Sequence, residues 1–75
     1  MDQKDMALKE FWDRIDNEIK RQNIKKKHLA ERCRFDRKIL FGHKYYMFTP
    51  YFARLCIELH VSADYLLFGE ERKGE

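Results

Sequence analysis

The sequence has few of the residues that make tight turns or catalytic nucleophiles. Its 75 residues include one Pro, three Gly, one Ser and one Thr, and it contains no Asn-Gly or Asp-Gly pair. Because its apolar runs are short and do not alternate with polar residues, we expect no β-strands. The single Ser and Thr both stand where helix caps are expected, and no nucleophile–base pair accompanies them, so we expect no enzymatic activity.

Cysteine and histidine are too sparse and scattered for a disulfide framework or a metal site. Cys33 and Cys56 are the only cysteines, and both fall on apolar faces of predicted helices, where a thiol is usually a small buried hydrophobe. His28, His43 and His60 lack the i, i+4 spacing of a helical metal pair. We therefore expect no cofactor, no metal and no small-molecule ligand.

Long apolar segments are also missing from the sequence. No stretch approaches the roughly 20 apolar residues that a membrane-spanning helix needs, and no signal peptide opens the chain. With only two cysteines and no disulfide scaffold, a reducing, cytoplasmic location without membrane contact is the expectation.

Apolar residues recur at helical spacing, which predicts an all-α domain of five helices. In the first helix one face carries Leu8, Phe11, Trp12, Ile15 and Ile19. The predicted helices cover about residues 5–22, 26–32, 37–44, 50–59 and 63–68. Residues 1–4 are expected to be a flexible N-terminus, 5–69 the domain, and 70–75 a charged tail.

Cap residues support these helix boundaries. Asn23 is suited to the left-handed position that ends a helix. Asp36 and Ser62 can accept hydrogen bonds from the free N–H groups at a helix start, and Thr49-Pro50 is a hydroxyl cap followed by Pro at the first helical position.

Positive charge is concentrated in residues 20–44. This segment holds ten of the sixteen Lys and Arg and only two of the thirteen acids, a net charge of +8, while the rest of the chain sums to −5. Such a field attracts polyanions, of which nucleic acid is the commonest. A plain solvated helix surface is the simpler alternative for the Lys25, Lys26 and Lys27 run.

Residues 11–70 resemble the DNA-binding domain of the Cro/phage-repressor family, also called XRE-type helix-turn-helix proteins. The resemblance rests on FWDRI at 11–15, IKKKHLAE at 24–31, FDRKILFG at 35–42 and LCIELHVSADYLL at 55–67. The Leu29-Ala30 pair and residues 61–67 are its most specific parts. It implies a five-helix lambda-repressor-like domain whose second and third helices form the helix-turn-helix.

The resemblance also implies site residues, position by position. The expected DNA base contacts are Arg37, Lys38, Ile39, Phe41 and Gly42. An Arg can hold O6 and N7 of one guanine together. The expected phosphate contacts are Lys25, Lys26, Lys27, Lys44 and Tyr45, with Lys26 standing where the family usually has Gln. Phosphate contacts set the register, and base contacts read the sequence.

Some of these positions have a second interpretation. Ile39 is equally suited to packing, and Phe41 is better suited to packing or an interface than to a base contact. Tyr45, Tyr46 and Phe48 are typical of a stacking platform for single strands, but packing in a helix–helix loop is the simpler explanation. Arg34 occupies the joint where the family usually has Gly, so we expect an altered or strained turn there.

The expected function is a sequence-specific, double-stranded DNA-binding transcriptional regulator of the phage or bacterial repressor type. Its third helix would lie in the major groove, and it would act as a homodimer on half-sites about 34 Å apart. The candidate dimer residues are Ile57, Tyr65, Leu66 and Phe68. One alternative is a protein-interaction module, antitoxin-like or adaptor-like, on the same fold. Another is non-specific nucleic-acid binding through charge alone.

Overall fold

The structure is a computed structural model that describes residues 3–43 and 46–70, and over these ranges the chain forms five helices and no strand. The helices are α1 (Gln3–Arg21), α2 (Lys26–Cys33), α3 (Lys38–Gly42), α4 (Thr49–Leu59) and α5 (Ala63–Phe68). The predicted all-α class is confirmed. Residues 3 and 4 lie in α1, whereas 1, 2 and 71–75 of the predicted termini lie outside the described residues. In the described part, no helix combines the length and apolarity needed to cross a membrane.

A single apolar core holds the helices together. α2 packs on α4, and α1 packs on α5. The buried side chains are Phe11, Trp12, Ile15, Ile19, Leu29, Ala30, Cys33, Phe35, Leu40, Leu55, Leu59 and Leu66. From α3 only Leu40 is buried, and the half-buried Ile39 packs against the core beside it.

The helices α1, α2 and α4 end in the left-handed conformation without a glycine, as α3 also does at His43. Asn23 (φ 56°), Arg34 (φ 62°) and His60 (φ 58°) follow α1, α2 and α4. At each of these ends the next N–H bonds back across the last turn, as Phe35 N does to Ala30 O at 3.1 Å. The prediction for Asn23 is confirmed. Arg34 adopts the conformation that Gly has elsewhere in such turns, at a cost of about 1–2 kcal/mol.

The predicted third helix, residues 37–44, is too long. α3 has five residues and begins at Lys38, whose backbone N–H donates to Asp36 Oδ1 at 2.9 Å. Asp36 thus accepts from the start of the helix as expected, but the residue at the N-cap position is Arg37, which makes no side-chain cap bond. The helix stops at Gly42 because His43 turns into the left-handed region, with φ 59°.

The starts of α4 and α5 differ in their caps. Thr49 is the first residue of α4 and not its cap, and the helix start has no side-chain cap bond, although Pro50 lies in the first turn as predicted. At α5, Ser62 Oγ accepts from Tyr65 N at 3.0 Å, which confirms the predicted cap.

Arg14 fastens the end of α5 to α1. Its Nη1 donates to the Leu66 carbonyl at 3.2 Å, and its Nη2 lies 3.3 Å from Glu10 Oε2. Gly69 ends α5 with φ 77°, and a Cβ at this position would lie 2.9 Å from Arg14 Nη2. Gly69 therefore serves both the turn and the close approach of the guanidinium.

A buried carboxylate joins α1 to the end of α4. Glu18 accepts from Arg21 Nε and Nη2 at 2.8 and 2.7 Å. Gln22 Nε2 lies 3.3 Å from Glu18 Oε1 and donates to the Leu59 carbonyl at 2.7 Å. The hydrogen bonds from Arg21 hold the pKa of Glu18 below its ordinary value although burial acts in the opposite direction.

Candidate nucleic-acid interface

Four exposed cations lie at the start of α2 and around the start of α3. They are Lys25, Lys27, Arg37 and Lys38. Among the side chains described, those of residues 8–43 and 46–70, none of the four has an acidic partner within 4.0 Å. Their charge is therefore available to an external anion.

The cations of α1 are in a different situation. Three of them form ion pairs within the helix, Lys9–Asp13 at 2.8 Å, Arg14–Glu10 at 3.3 Å and Arg21–Glu18 at 2.7 Å. The positive field of the chain therefore comes from α2, α3 and the joint between them more than from α1.

A groove between α2 and α3 brings two of the predicted site residues together. Lys27 and Arg37 both line it, with the buried side chains of Ala30 and Phe35 also in its wall. A predicted phosphate contact and a predicted base contact thus border one surface depression.

The five predicted base contacts are not equally accessible. Arg37, Lys38 and Gly42 are exposed, and the Phe41 ring is 61% exposed. Ile39 is half-buried and packs against the core, so its side chain presents little surface to a ligand. At Gly42 an added Cβ would meet no atom within 4 Å.

Lys26, a predicted phosphate contact, is engaged inside the molecule. Its Nζ lies 3.3 Å from Asp16 Oδ1 and 3.4 Å from the Leu40 carbonyl oxygen. It also lies 4.7 Å from the centroid of the Phe41 ring, within range of a cation–π interaction. The predicted phosphate contacts Lys44 and Tyr45 lie outside the described residues.

His43 closes the C-terminal end of α3 and was missed as a site residue by sequence reasoning. Its ring stacks on Trp12 with centroids 4.8 Å apart and an interplanar angle of 18°. Its Nε2 lies 2.8 Å from the Leu40 carbonyl oxygen and 3.6 Å from Asp16 Oδ2. One signal was present in the sequence: Trp12 and Asp16 are spaced i, i+4 and so share a face of α1.

Asp16 is the other residue that sequence reasoning missed. Its Oδ1 is buried and has no hydrogen-bond partner among the described residues. The nearest compensating charge is Lys26, at ion-pair distance but outside hydrogen-bond geometry. A buried carboxylate oxygen depends on such a charge because it has lost its water.

A second basic groove lies on the side of α2 that faces α4. It is lined by Arg32, Arg34, Arg54, Ile57 and Glu58. Arg54 Nη1 donates to the Cys33 carbonyl at 3.3 Å and so holds the end of α2. Arg54 lies outside residues 20–44, so the charge count of that segment did not include it.

Aromatic side chains border α3 on its other side. Trp12, Ile39, Tyr46, Phe48 and Tyr51 are among the residues that line a groove of about 380 Å³. Tyr46 packs on Phe11 with ring centroids 5.1 Å apart, and Phe48 packs edge-on against Tyr51 at 5.3 Å. Both rings still expose about half of their surface or more, 46% and 65%.

The four candidate dimer residues differ in how much of their surface is exposed. Ile57 and Phe68 are 69% and 65% exposed, and Tyr65 is half-buried. The prediction for Leu66 is wrong, because its side chain is fully buried in the core. An apolar groove of about 700 Å³ lies beside Ile57, between α4 and α5.

Neither thiol is activated. Cys33 is fully buried, and burial raises its pKa to about 11. Burial also raises the pKa of Cys56, which is half-buried. The described residues contain no cluster of His, Cys, Asp or Glu that could hold a metal ion.

The chain was compared with known proteins in three ways. No protein-family model, no curated protein and no solved structure matches it.

Proposed function

We propose that this chain is a sequence-specific, double-stranded DNA-binding transcriptional regulator of the repressor type, with α2 and α3 as its helix-turn-helix. One observation carries the proposal: the exposed cations Lys25, Lys27, Arg37 and Lys38 have no acidic partner in the described part of the chain. Unpaired cations on adjacent helices match the charge of a DNA backbone, which carries one phosphate for about every 1.7 Å of duplex.

The residues divide between two tasks. Arg37 and Lys38 precede or open α3 and reach base edges in the major groove, where Arg binds guanine O6 and N7 in bidentate fashion. Lys25 and Lys27 bind phosphates and set the register. Five helical residues rise by only about 7.5 Å, so α3 reads a short stretch of bases.

A short reading helix favours binding as a homodimer. Two copies double the number of bases read and place two α3 helices in successive major grooves, about 34 Å apart. Ile57 and Phe68 are large apolar side chains left in solvent, and they supply contact area for such a pair.

Selection of bound sites from a random duplex library tests the function directly. We expect a partly palindromic motif to be enriched, and we expect its binding to survive excess competitor DNA while weakening as salt rises. Binding that shows the salt dependence without any enriched motif would identify a non-specific polyanion binder instead. If no duplex binds at low salt, the proposal is wrong.

A second candidate is a protein-interaction module on the same fold. It is favoured by the exposed rings of Phe41 and Phe48, at 61% and 65%, which are unusual on a DNA-facing surface. Aromatic residues are enriched at the centres of protein interfaces. An acidic, aromatic-rich peptide that displaces duplex DNA would show that both partners use this surface, and retention of the peptide without any duplex binding would favour the module.

A further inference from the structure

Asp16 brings together the start of α2 and the end of α3. Its Oδ1 lies 3.3 Å from Lys26 Nζ, and its Oδ2 lies 3.6 Å from His43 Nε2. Both nitrogens also reach the Leu40 carbonyl oxygen, at 3.4 Å from Lys26 and 2.8 Å from His43. One carboxylate of α1 and one carbonyl of α3 therefore hold the same two side chains.

Lys26 differs in this respect from the lysines on either side. Lys25 and Lys27 are exposed and, among the described residues, have no ion pair. The Lys26 side chain is 24% exposed and lies against Asp16. Of the three consecutive lysines, two thus expose their charge to solvent and one is held against Asp16.

The held ammonium lies at the edge of the proposed DNA surface. Lys26 Nζ is 4.7 Å from the ring centroid of Phe41, and that ring is 61% exposed. Phe41 follows Arg37 and Lys38 by four and three residues, so all three share one side of α3. A lysine side chain has a flexible stem of four carbons, so rotamers other than the one against Asp16 are open to its ammonium.

We infer that Asp16 competes with DNA phosphate for Lys26: it holds the ammonium against the end of α3 and so withholds one cation from the DNA contacts. The inference rests on the proposed function. Asp16 acts through Lys26 and touches no DNA, so it is a positioning residue. By reducing contacts that any sequence can make, it raises the share of the binding energy that depends on Arg37 and Lys38.

The test compares Asp16→Asn with Asp13→Asn. Both substitutions remove one negative charge from α1, but Asp13 is 53% exposed and pairs with Lys9 at 2.8 Å, away from α2 and α3. Binding of the full chain to its selected duplex and to a scrambled duplex is measured by fluorescence anisotropy between about 50 and about 200 mM salt. Circular dichroism melts show that each variant is folded.

We expect Asp16→Asn to steepen the plot of log K against log salt by about 0.9, the contribution of one added phosphate contact, on both duplexes alike. Asp13→Asn is expected to leave the slope unchanged. A mere change in net charge would affect both variants in the same way, and that result would overturn the inference.

Lys26→Gln separates the released cation from other effects. In the wild-type chain it is expected to leave the salt slope unchanged, whereas Lys27→Gln reduces the slope by about 0.9. In the Asp16→Asn background Lys26→Gln is expected to restore the wild-type slope. The inference is overturned if Lys26→Gln reduces the slope of the wild-type chain as much as Lys27→Gln does.

Three further outcomes are informative. If Asp16→Asn fails to fold, the single variants Lys26→Gln and Lys27→Gln decide the question in the wild-type background. If the wild-type chain binds duplex and Asp16→Asn gives the same slope, the inference fails while the proposed function stands. If the wild-type chain binds no duplex, the proposed function fails, and the inference fails with it.

Discussion

The N-terminal end of α3 is open, whereas its C-terminal end is fastened. Arg37 and Lys38 are exposed and, in the described part of the chain, have no ion pair. At the other end, the Leu40 carbonyl oxygen accepts hydrogen bonds from both His43 and Lys26. A five-residue helix is thus held at one end while the side chains at its other end stay exposed, and under the proposed function these exposed side chains read the bases.

The largest effect on stability is expected from truncating the side chain that holds α3 in the core. Leu40 is fully buried and is the only buried side chain of α3. Leu40→Ala should lower the free energy of unfolding by about 2–5 kcal/mol, because it leaves a cavity in the core. Urea denaturation followed by circular dichroism measures the loss.

Phe41→Ala is the matched control for Leu40→Ala. Phe41 is the neighbouring residue, and its ring is 61% exposed. Its removal should cost less than about 1 kcal/mol, mainly the contact with Lys26. Equal losses of stability in the two variants would show that Leu40 does not hold α3 in the core more strongly than Phe41 does.

The next largest effect concerns the open end. Arg37→Ala should weaken binding to the selected duplex by about 1–3 kcal/mol and relax the preference at one base position. Arg32, which is also exposed but lines the groove beside α4, is the control. Arg32→Ala should weaken all duplexes alike. Anisotropy titrations with single-base variants of the site distinguish the two, and an unchanged base preference in Arg37→Ala would remove it from the reading residues.

A smaller effect is expected from the left-handed residues before and after α3. Arg34 and His43 have φ 62° and 59°, and Asn tolerates this conformation. His43→Asn loses the stack on Trp12 and should cost about 0.5–1.5 kcal/mol. Arg34→Asn should change stability by less than about 0.5 kcal/mol, since its side chain is exposed. Thermal melts of both variants measure the difference in stability. A larger loss in Arg34→Asn than in His43→Asn would contradict this prediction.

The smallest effect is the pH dependence of stability contributed by Glu18, which lies away from α3 and serves as a reference. Because hydrogen bonds from Arg21 lower the folded-state pKa of Glu18, its contribution to stability is full above the ordinary Glu value of 4.5 and is lost as the pH falls through the lower folded value. Arg21 is 67% exposed, so solvent screens the pair and the effect is modest.

Glu18→Gln should remove that part of the pH dependence. Urea midpoints measured from neutral pH down to acid pH provide the comparison, with Glu10→Gln on the exposed face of α1 as the control. If Glu18→Gln and the wild-type chain lose stability in parallel on acidification, the lowered pKa makes no contribution to folding.

The features that could be predicted from the sequence depend on a few adjacent residues. The turn at Asn23 and the helix-start hydrogen bonds to Asp36 and Ser62 each involve groups no more than five residues apart. The period of the apolar residues also identified the core face of α1, including Trp12. These local preferences are enough to set the number of helices and most of their ends.

The features that could not be predicted depend on contacts between helices. Lys26 is held by Asp16, which is ten positions away on another helix, so a run of three lysines gave no sign that one differs. The run from Tyr65 to Phe68 contains four apolar residues, and only packing decides that Leu66 is the one buried. Arg14 contributes to this packing, because its guanidinium donates a hydrogen bond to the Leu66 carbonyl.

If the chain reads DNA as proposed, the open space around Gly42 bears on how readily its preferred DNA sequence can change. A side chain added there meets no atom within 4 Å, and the backbone lies within α3, so no strained turn is involved. Replacing a helical Gly with another residue usually stabilises the helix, by up to about 1 kcal/mol for Ala. We therefore expect Gly42→Gln or Gly42→Asn to acquire a new base preference without loss of stability. Under the proposed function, one substitution at this position is therefore enough to alter which bases are recognised.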